Sequence, residues 1–290
     1  MKQLHGTGVA LVTPFNEEGD IDFTSFKKLL NHTAKGVDYY VVMGTTGEAA
    51  VCTKEEKKEI LDFVIKHNKK KLPIVYGMGG NSTHFLLEEI DSTRFTGVDA
   101  ILSVSPYYNK PSQEGIAQHF EAVAEFSPVP VILYNVPGRT ASNLTSETTL
   151  RLAKHPNIVG IKEASGNLEQ CMTIARHKPK DFALISGDDL LTLPLYSIGG
   201  VGVISVLANA FPVIFKRMTT AAGLHQYTKA KTELFKLLDI NHLMYEEGNP
   251  AGIKFLLSLM NICEPYTRLP VVPPSIKLQA KIKGVFQSMK

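Results

Sequence analysis

The chain is short of several things, and each absence removes a class of protein. It has only three cysteines, Cys52, Cys171 and Cys263. They are widely spaced with no CxxC pair, which fits reduced thiols better than a disulfide frame or a zinc site. No run of about 18 consecutive apolar residues occurs, so no transmembrane span is expected. The opening residues, Met1-Lys2-Gln3-Leu4-His5-Gly6, carry no apolar signal core and lead straight into a strand-like run. A cytoplasmic protein without membrane association is therefore expected. Neither sign of charge dominates. The formal net charge is +3 with both signs interspersed, which gives no footing for nucleic acid. The single lysine run, Lys69-Lys70-Lys71 beside Pro73, reads as a solvated helix end rather than a binding patch. No Gly-x-Gly-x-x-Gly follows the first strand-like run, which leaves dinucleotide binding without its fingerprint. Gly199-Gly200-Val201-Gly202 lacks the Lys-Ser/Thr of a Walker loop and reads as close helix–strand packing.

What is present is a regular alternation. The 290 residues, 44% of them hydrophobic and 20% charged, suffice for a large core. Runs with strand character span Gly8 to Phe15, Asp38 to Gly44, Ile74 to Gly79, Ala100 to Tyr107, Pro130 to Val136, Ile158 to Ala164, Ala183 to Gly187 and Val201 to Leu207. Most recur at intervals of about 20 to 30 residues, the size of a βα unit. Between them, Phe23-Phe26-Leu29-Leu30, Ile60-Phe63-Val64-His67 and Ile116-Phe120-Val123 keep helical spacing. Thr53-Lys54-Glu55-Glu56 and Thr145-Ser146-Glu147-Thr148 look like capping boxes. Eight such units predict an α/β fold, a closed (β/α)8 TIM barrel, over residues 1–224. Residues 225–290 hold only helical patterns, such as Ile253-Leu256-Leu257-Met260, and read as a C-terminal helical region. Pro270-Val271-Val272-Pro273-Pro274 would be an extended connection before its last helix.

Lys162 stands out against this pattern. It lies within Ile158-Val159-Gly160-Ile161-Lys162-Glu163-Ala164-Ser165, a run otherwise written as a strand covered on both faces. Two readings fit. A buried ammonium is costly, and relief by a lowered pKa leaves a free amine able to attack a carbonyl carbon. Alternatively, the lysine sits at a strand end, snorkelling into water or pairing with Glu163.

In such a barrel the working residues lie at the C-terminal ends of the strands and in the loops that follow. Gly44-Thr45-Thr46-Gly47 offers hydroxyls and free amides to a carboxylate, or is an ordinary glycine turn with Thr46 as a cap. Tyr134 is either a core tyrosine or a phenol that moves protons to and from the amine on the neighbouring strand. Arg139, after a Pro-Gly turn, is a carboxylate fork or a surface arginine. Ser186-Gly187-Asp188-Asp189 closes the seventh run, and Gly202-Val203-Ile204-Ser205 lies on the eighth.

Taken in order, Gly44-Thr45-Thr46-Gly47-Glu48, Pro106-Tyr107-Tyr108-Asn109-Lys110-Pro111, Tyr134-Asn135-Val136-Pro137-Gly138-Arg139-Thr140 and Ile161-Lys162-Glu163-Ala164-Ser165 resemble the signatures of the dihydrodipicolinate synthase family. The resemblance runs over essentially the whole chain. It implies a pyruvate-dependent class I lyase of diaminopimelate and lysine biosynthesis, usually homotetrameric. Such an enzyme needs no metal or organic cofactor beyond the covalent Schiff base with its substrate. By the same resemblance Lys162 forms that Schiff base, and Thr46 binds the pyruvate carboxylate. Thr45, Tyr134 and Tyr108 form a proton relay, Tyr108 reaching into a neighbouring subunit. Arg139 holds L-aspartate 4-semialdehyde, and Gly187 and Ile204 shape the pocket. Gly138 departs from the serine common in the family, which loosens the loop without removing a charge.

Two alternatives remain at this point. One is an N-acetylneuraminate lyase or a 2-keto-3-deoxy-sugar-acid aldolase, which shares the lysine and the Gly-Thr-Thr-Gly-Glu motif. The other is an inactive paralogue that only binds a metabolite. The resemblance also bears on regulation. Relatives inhibited by lysine carry a serine, histidines and a glutamate where this chain has Ala49, Lys54 and Lys57, and Phe85, while Asn81 and Tyr107 are kept. Weak or absent inhibition by L-lysine is the expectation, because a cationic ligand would face Lys57 without the glutamate. Glu88 or Glu89 could restore the missing charge.

Overall fold

A parallel strand buried on both faces has no side on which to carry polar residues, so it is written as a short Val/Ile-rich run. In the computed structural model, which describes residues 4–289, eight such runs are strands. They are β1 (Gly6–Ala10), β2 (Tyr39–Val42), β3 (Ile74–Gly77), β4 (Ala100–Val104), β5 (Val131–Asn135), β6 (Ile158–Glu163), β7 (Ala183–Ser186) and β8 (Gly202–Ser205). Each pairs in parallel with the next, and β8 returns to β1 with Gly6 opposite Gly202 and Gly8 opposite Ile204. The expected (β/α)8 barrel is what the chain forms.

Alternation along the strands builds two apolar layers. Ala10, Tyr39, Val41, Val75, Leu102, Ile132, Tyr134, Ile185 and Ile204 belong to a cluster inside the barrel. Their neighbours Val9, Tyr40, Val42, Ile101, Leu133, Ile161, Leu184 and Val203 belong to the layer beneath the helices.

Two expectations need correction. The first strand is Gly6–Ala10 rather than Gly8 to Phe15. Leu11, Val12 and Phe15 lie beyond its end and are buried all the same. A loop covered by other elements reads like a strand when apolar content is the guide. The second correction concerns caps. Thr53 makes the full reciprocal capping box with Glu56. Thr145 accepts from the Thr148 amide at 3.3 Å, but the third helical residue there is Thr148, which has no carboxylate to reach back. Its hydroxyl donates instead to Gln113 Oε1 at 2.6 Å.

Other details agree with the residues. Lys69, Lys70 and Lys71 are exposed past the helix Lys54–His67. A Cβ on Gly200 would meet Leu195 Cγ at 2.8 Å, and one on Gly202 would meet the Gly6 carbonyl oxygen at 2.5 Å. The three cysteines are buried and unpaired, and burial pushes the Cys52 thiol up to about 11. Among the described residues, positions 225–289 contain the helices Tyr227–Phe235, Leu238–Asn241, Ala251–Leu259 and Ile276–Ser288, and no strand. Ser275 caps the last of these by accepting from the Leu278 amide, directly after the Pro270–Pro274 stretch. No helix among the described residues is long and apolar enough to cross a membrane.

Candidate active site

Lys162 lies on the inner side of β6. Its strand neighbours divide as alternation requires: Ile161 packs into the layer beneath the helices, while Lys162 is opposite Tyr134 on β5 and Ile185 on β7. Lys162 is 6% exposed and its ammonium stands 4.2 Å from the centroid of the Tyr134 ring. A lysine snorkelling from a strand end does not fit this placement.

Pairing with Glu163 does not fit either. Glu163 is 4% exposed and fully engaged elsewhere. It accepts from Asn135 Nδ2 at 3.1 Å, from the Ser165 amide at 2.8 Å and from Gln170 Nε2 at 2.8 Å. Asn135 in turn accepts from the Leu144 amide at 3.0 Å. Asn135 and Glu163 are themselves opposite each other in the register, each the chain neighbour of a site residue. This outer network fixes the spacing of Tyr134 and Lys162 from behind.

Gly187 completes the seat of the lysine. A Cβ there would stand 3.1 Å from Lys162 Cε and 2.6 Å from Ala164 Cβ, so only glycine leaves the amine its room. Ile204 is buried on β8 within the same inner cluster as Tyr134. The tyrosine hydroxyl has no hydrogen-bond partner among the described residues, unlike that of an ordinary core tyrosine.

A cavity of ≈ 550 Å³ opens at the C-terminal ends of the strands, lined by Thr45, Tyr134, Arg139, Thr140 and Asn249 among others. Thr45 to Gly47 form one 3₁₀ turn, which leaves its leading amides without partners inside the turn. Thr46 does not act as a cap. It is 3% exposed, and its hydroxyl accepts from Asn249 Nδ2 at 3.0 Å. Arg139 sits in the turn Pro137–Thr140, exposed at the cavity wall and free of ion pairs among the described residues. Gly138 has open space where a Cβ would go, so the missing serine leaves no gap in packing. Tyr108 stands apart from the others, 86% exposed on the loop after β4.

Two residues that join the site were not assigned from the sequence. Asn249 comes from the C-terminal region, 203 positions from Thr46. Asp189, quoted only as part of a motif, is 2% exposed and accepts from the Leu207 amide at 2.9 Å. Burial raises its carboxyl to about 6, against the lowering influence of Ser205, the Leu207 amide and Lys162. The sequence does not mark it, because the neighbouring Asp188 reads the same and is only half-buried.

The model of the dihydrodipicolinate synthetase family matches residues 3–289. The chain belongs to that family. A 4-hydroxy-tetrahydrodipicolinate synthase of Cytophaga hutchinsonii is 49% identical over 284 residues, 98% of this chain and 96% of its own. The chloride-inhibited dihydrodipicolinate synthase of Acinetobacter baumannii, solved in complex with pyruvate, is 36% identical. It superposes with a TM-score of 0.95 over 99% of both chains. The enzyme of Cyanidioschyzon merolae, solved with lysine bound, is 38% identical with a TM-score of 0.94, covering 99% of this chain and 98% of its own. Membership makes this chain an enzyme, a lyase. These relatives of the dihydrodipicolinate synthetase family are synthases by name, which favours neither a sugar-acid aldolase nor an inactive paralogue.

Proposed function

We propose that this chain condenses pyruvate with L-aspartate 4-semialdehyde as a 4-hydroxy-tetrahydrodipicolinate synthase of the diaminopimelate route to lysine, a cytoplasmic reaction. The observation that carries the reading is Lys162 inside the barrel, held between Tyr134 and Gly187 at the end of the strands. Its amine adds to the pyruvate ketone and loses water, giving an iminium that draws electrons from the methyl group. That methyl group gives up a proton, and the enamine so formed attacks the aldehyde carbon. The amine of the second substrate then attacks the imine carbon, which closes the ring and releases Lys162. The Schiff base is the electron sink, so the proposal calls on no metal or organic cofactor.

Tyr134 and Thr45, both at the cavity wall, would move the protons, and the turn at Thr46 would receive the pyruvate carboxylate. Tyr108, exposed in the single chain, suits a relay completed in a neighbouring subunit of a homotetramer. Turnover assays decide the second substrate. Aspartate semialdehyde should be consumed with pyruvate, and exclusive cleavage of N-acetylneuraminate or a keto-deoxy sugar acid would contradict the proposal.

Arg139 would grip the carboxylate of the semialdehyde. Arg139→Ala should lower kcat/KM for that substrate by about 10- to 10²-fold, the worth of a charge-assisted pair. Borohydride labelling with pyruvate alone should hardly change. Loss of labelling as severe as for a Lys162 variant would instead place Arg139 in pyruvate binding.

Regulation follows from residues beside the same cavity. Lys57 Nζ stands 3.5 Å from Glu89 Oε1, and His84 lies 3.3 Å from Glu88. Both carboxylates that could have replaced the missing glutamate already face a basic side chain. Phe85 is 67% exposed and brings no charge. L-Lysine titrated into the synthase assay should inhibit weakly or not at all, in contrast to half-inhibition at submillimolar concentration.

A further inference from the structure

The C-terminal region reaches back to the Gly44–Glu48 loop from a great distance in sequence. Asn249 holds the Thr46 hydroxyl, as described, and the Arg268 amide donates to Glu48 Oε2 at 3.1 Å, across 220 positions. Between these contacts, Lys254 on the helix Ala251–Leu259 forms an ion pair with Glu48 in which neither side chain is more than 3% exposed. Lys254 Nζ also donates to the Tyr266 carbonyl at 2.8 Å and lies 4.2 Å from the centre of the Phe15 ring. The Arg268 guanidinium covers the same ring at 4.4 Å and is itself held by Glu56 at 2.6 Å.

Stability alone is a poor reason for such an arrangement. Apolar residues of similar volume serve a core as well as a buried ion pair does. What a buried ion pair adds is a fixed geometry. Glu48 has φ of 57°, in the left-handed region, and ends the turn that begins at Thr45. A glutamate stays in that conformation only where its surroundings hold it. Its amide closes the turn by donating to the Thr45 carbonyl at 3.1 Å. The carboxylate of Glu48, two residues from Thr46 and in a residue that itself lines the cavity, is therefore anchored by the C-terminal region. Lys254, unlike Lys162, is held by an ion pair with Glu48 and by the Tyr266 carbonyl, so it is no second nucleophile.

We propose that Lys254 is a positioning residue: through its buried pair with Glu48 it sets the Thr45–Thr46 turn that receives the keto acid's carboxylate. This rests on the pyruvate reading above. Removing the ammonium leaves Glu48 buried without a cation. The carboxylate must then take a proton or move toward water, and either way the end of the turn is released.

The test is borohydride labelling of Lys162 as a function of pyruvate concentration, with thermal melting measured alongside. Lys254→Met should raise the half-saturating pyruvate concentration by about 10- to 10²-fold, the scale of a misplaced binding group. Labelling at saturation should still fall on Lys162. Asn249→Ala, which removes only the Thr46 contact, should raise it by a smaller factor in the same direction. Should Lys254→Met fail to fold, Glu48→Gln combined with Lys254→Met leaves no unpaired charge to bury and should still show the raised value. A lowered melting temperature with half-saturation within about twofold of the wild type in the folded variants would mean a purely structural role and overturn the proposal. Wild-type protein that is never labelled at Lys162 would remove the Schiff-base reading itself, a result distinct from that one.

Discussion

Replacing Lys162 with alanine is expected to lower kcat/KM by at least about 10⁴-fold, as loss of a covalent nucleophile does. The barrel should stay folded. β6 keeps its pairing with β5 and β7 through the backbone, and its outer face remains anchored by Glu163. The variant also gives up an ammonium that is costly to hold away from water. Steady-state turnover and thermal melting check the two halves of this expectation. Lys162→Arg should be equally inactive, because a guanidinium stays protonated and cannot attack a ketone. Activity of the alanine variant within about tenfold of the wild type would require another nucleophile.

Tyr134→Phe separates the hydroxyl from the ring. The ring lies 4.2 Å from the Lys162 ammonium, and phenylalanine preserves that packing. Only the proton carrier is lost, so kcat should fall by about 10²-fold, or about 2.7 kcal/mol of barrier. Melting should change little. A rate constant within about threefold of the wild type would leave the hydroxyl no part in moving protons.

Much of the barrel is legible in the sequence because parallel strands buried on both faces leave short, dense apolar runs, and eight of them recur. Lys162 is legible for the same reason: a charge inside such a run has no ordinary place. The boundaries of β1 are less legible. Phe15 is buried by Lys254 and Arg268, and apolar content alone does not distinguish that burial from strand burial. The resemblance supplied the candidate roles of Thr45, Thr46 and Arg139, whose residue types would otherwise suit an ordinary turn and an ordinary surface. The contacts of Asn249, Lys254 and Arg268 with the Gly44–Glu48 loop could not be read, because helical periodicity shows which face is apolar and not which distant loop it meets. One hint existed. Lys254 interrupts the apolar stretch Ile253-Lys254-Phe255-Leu256-Leu257 much as Lys162 interrupts β6. Among the described residues, both lysines prove buried, one without an ion pair inside the barrel and the other paired with Glu48 of the loop.

That contrast makes one measurement decisive for the central claim. The protein is incubated with pyruvate, reduced with borohydride, digested and mapped by mass. A covalent pyruvate-derived mass on the peptide bearing Lys162, saturable in pyruvate and absent from Lys254, is the result the account predicts. No stable adduct, or an adduct on Lys254 or a surface lysine with Lys162 unmodified, would contradict it.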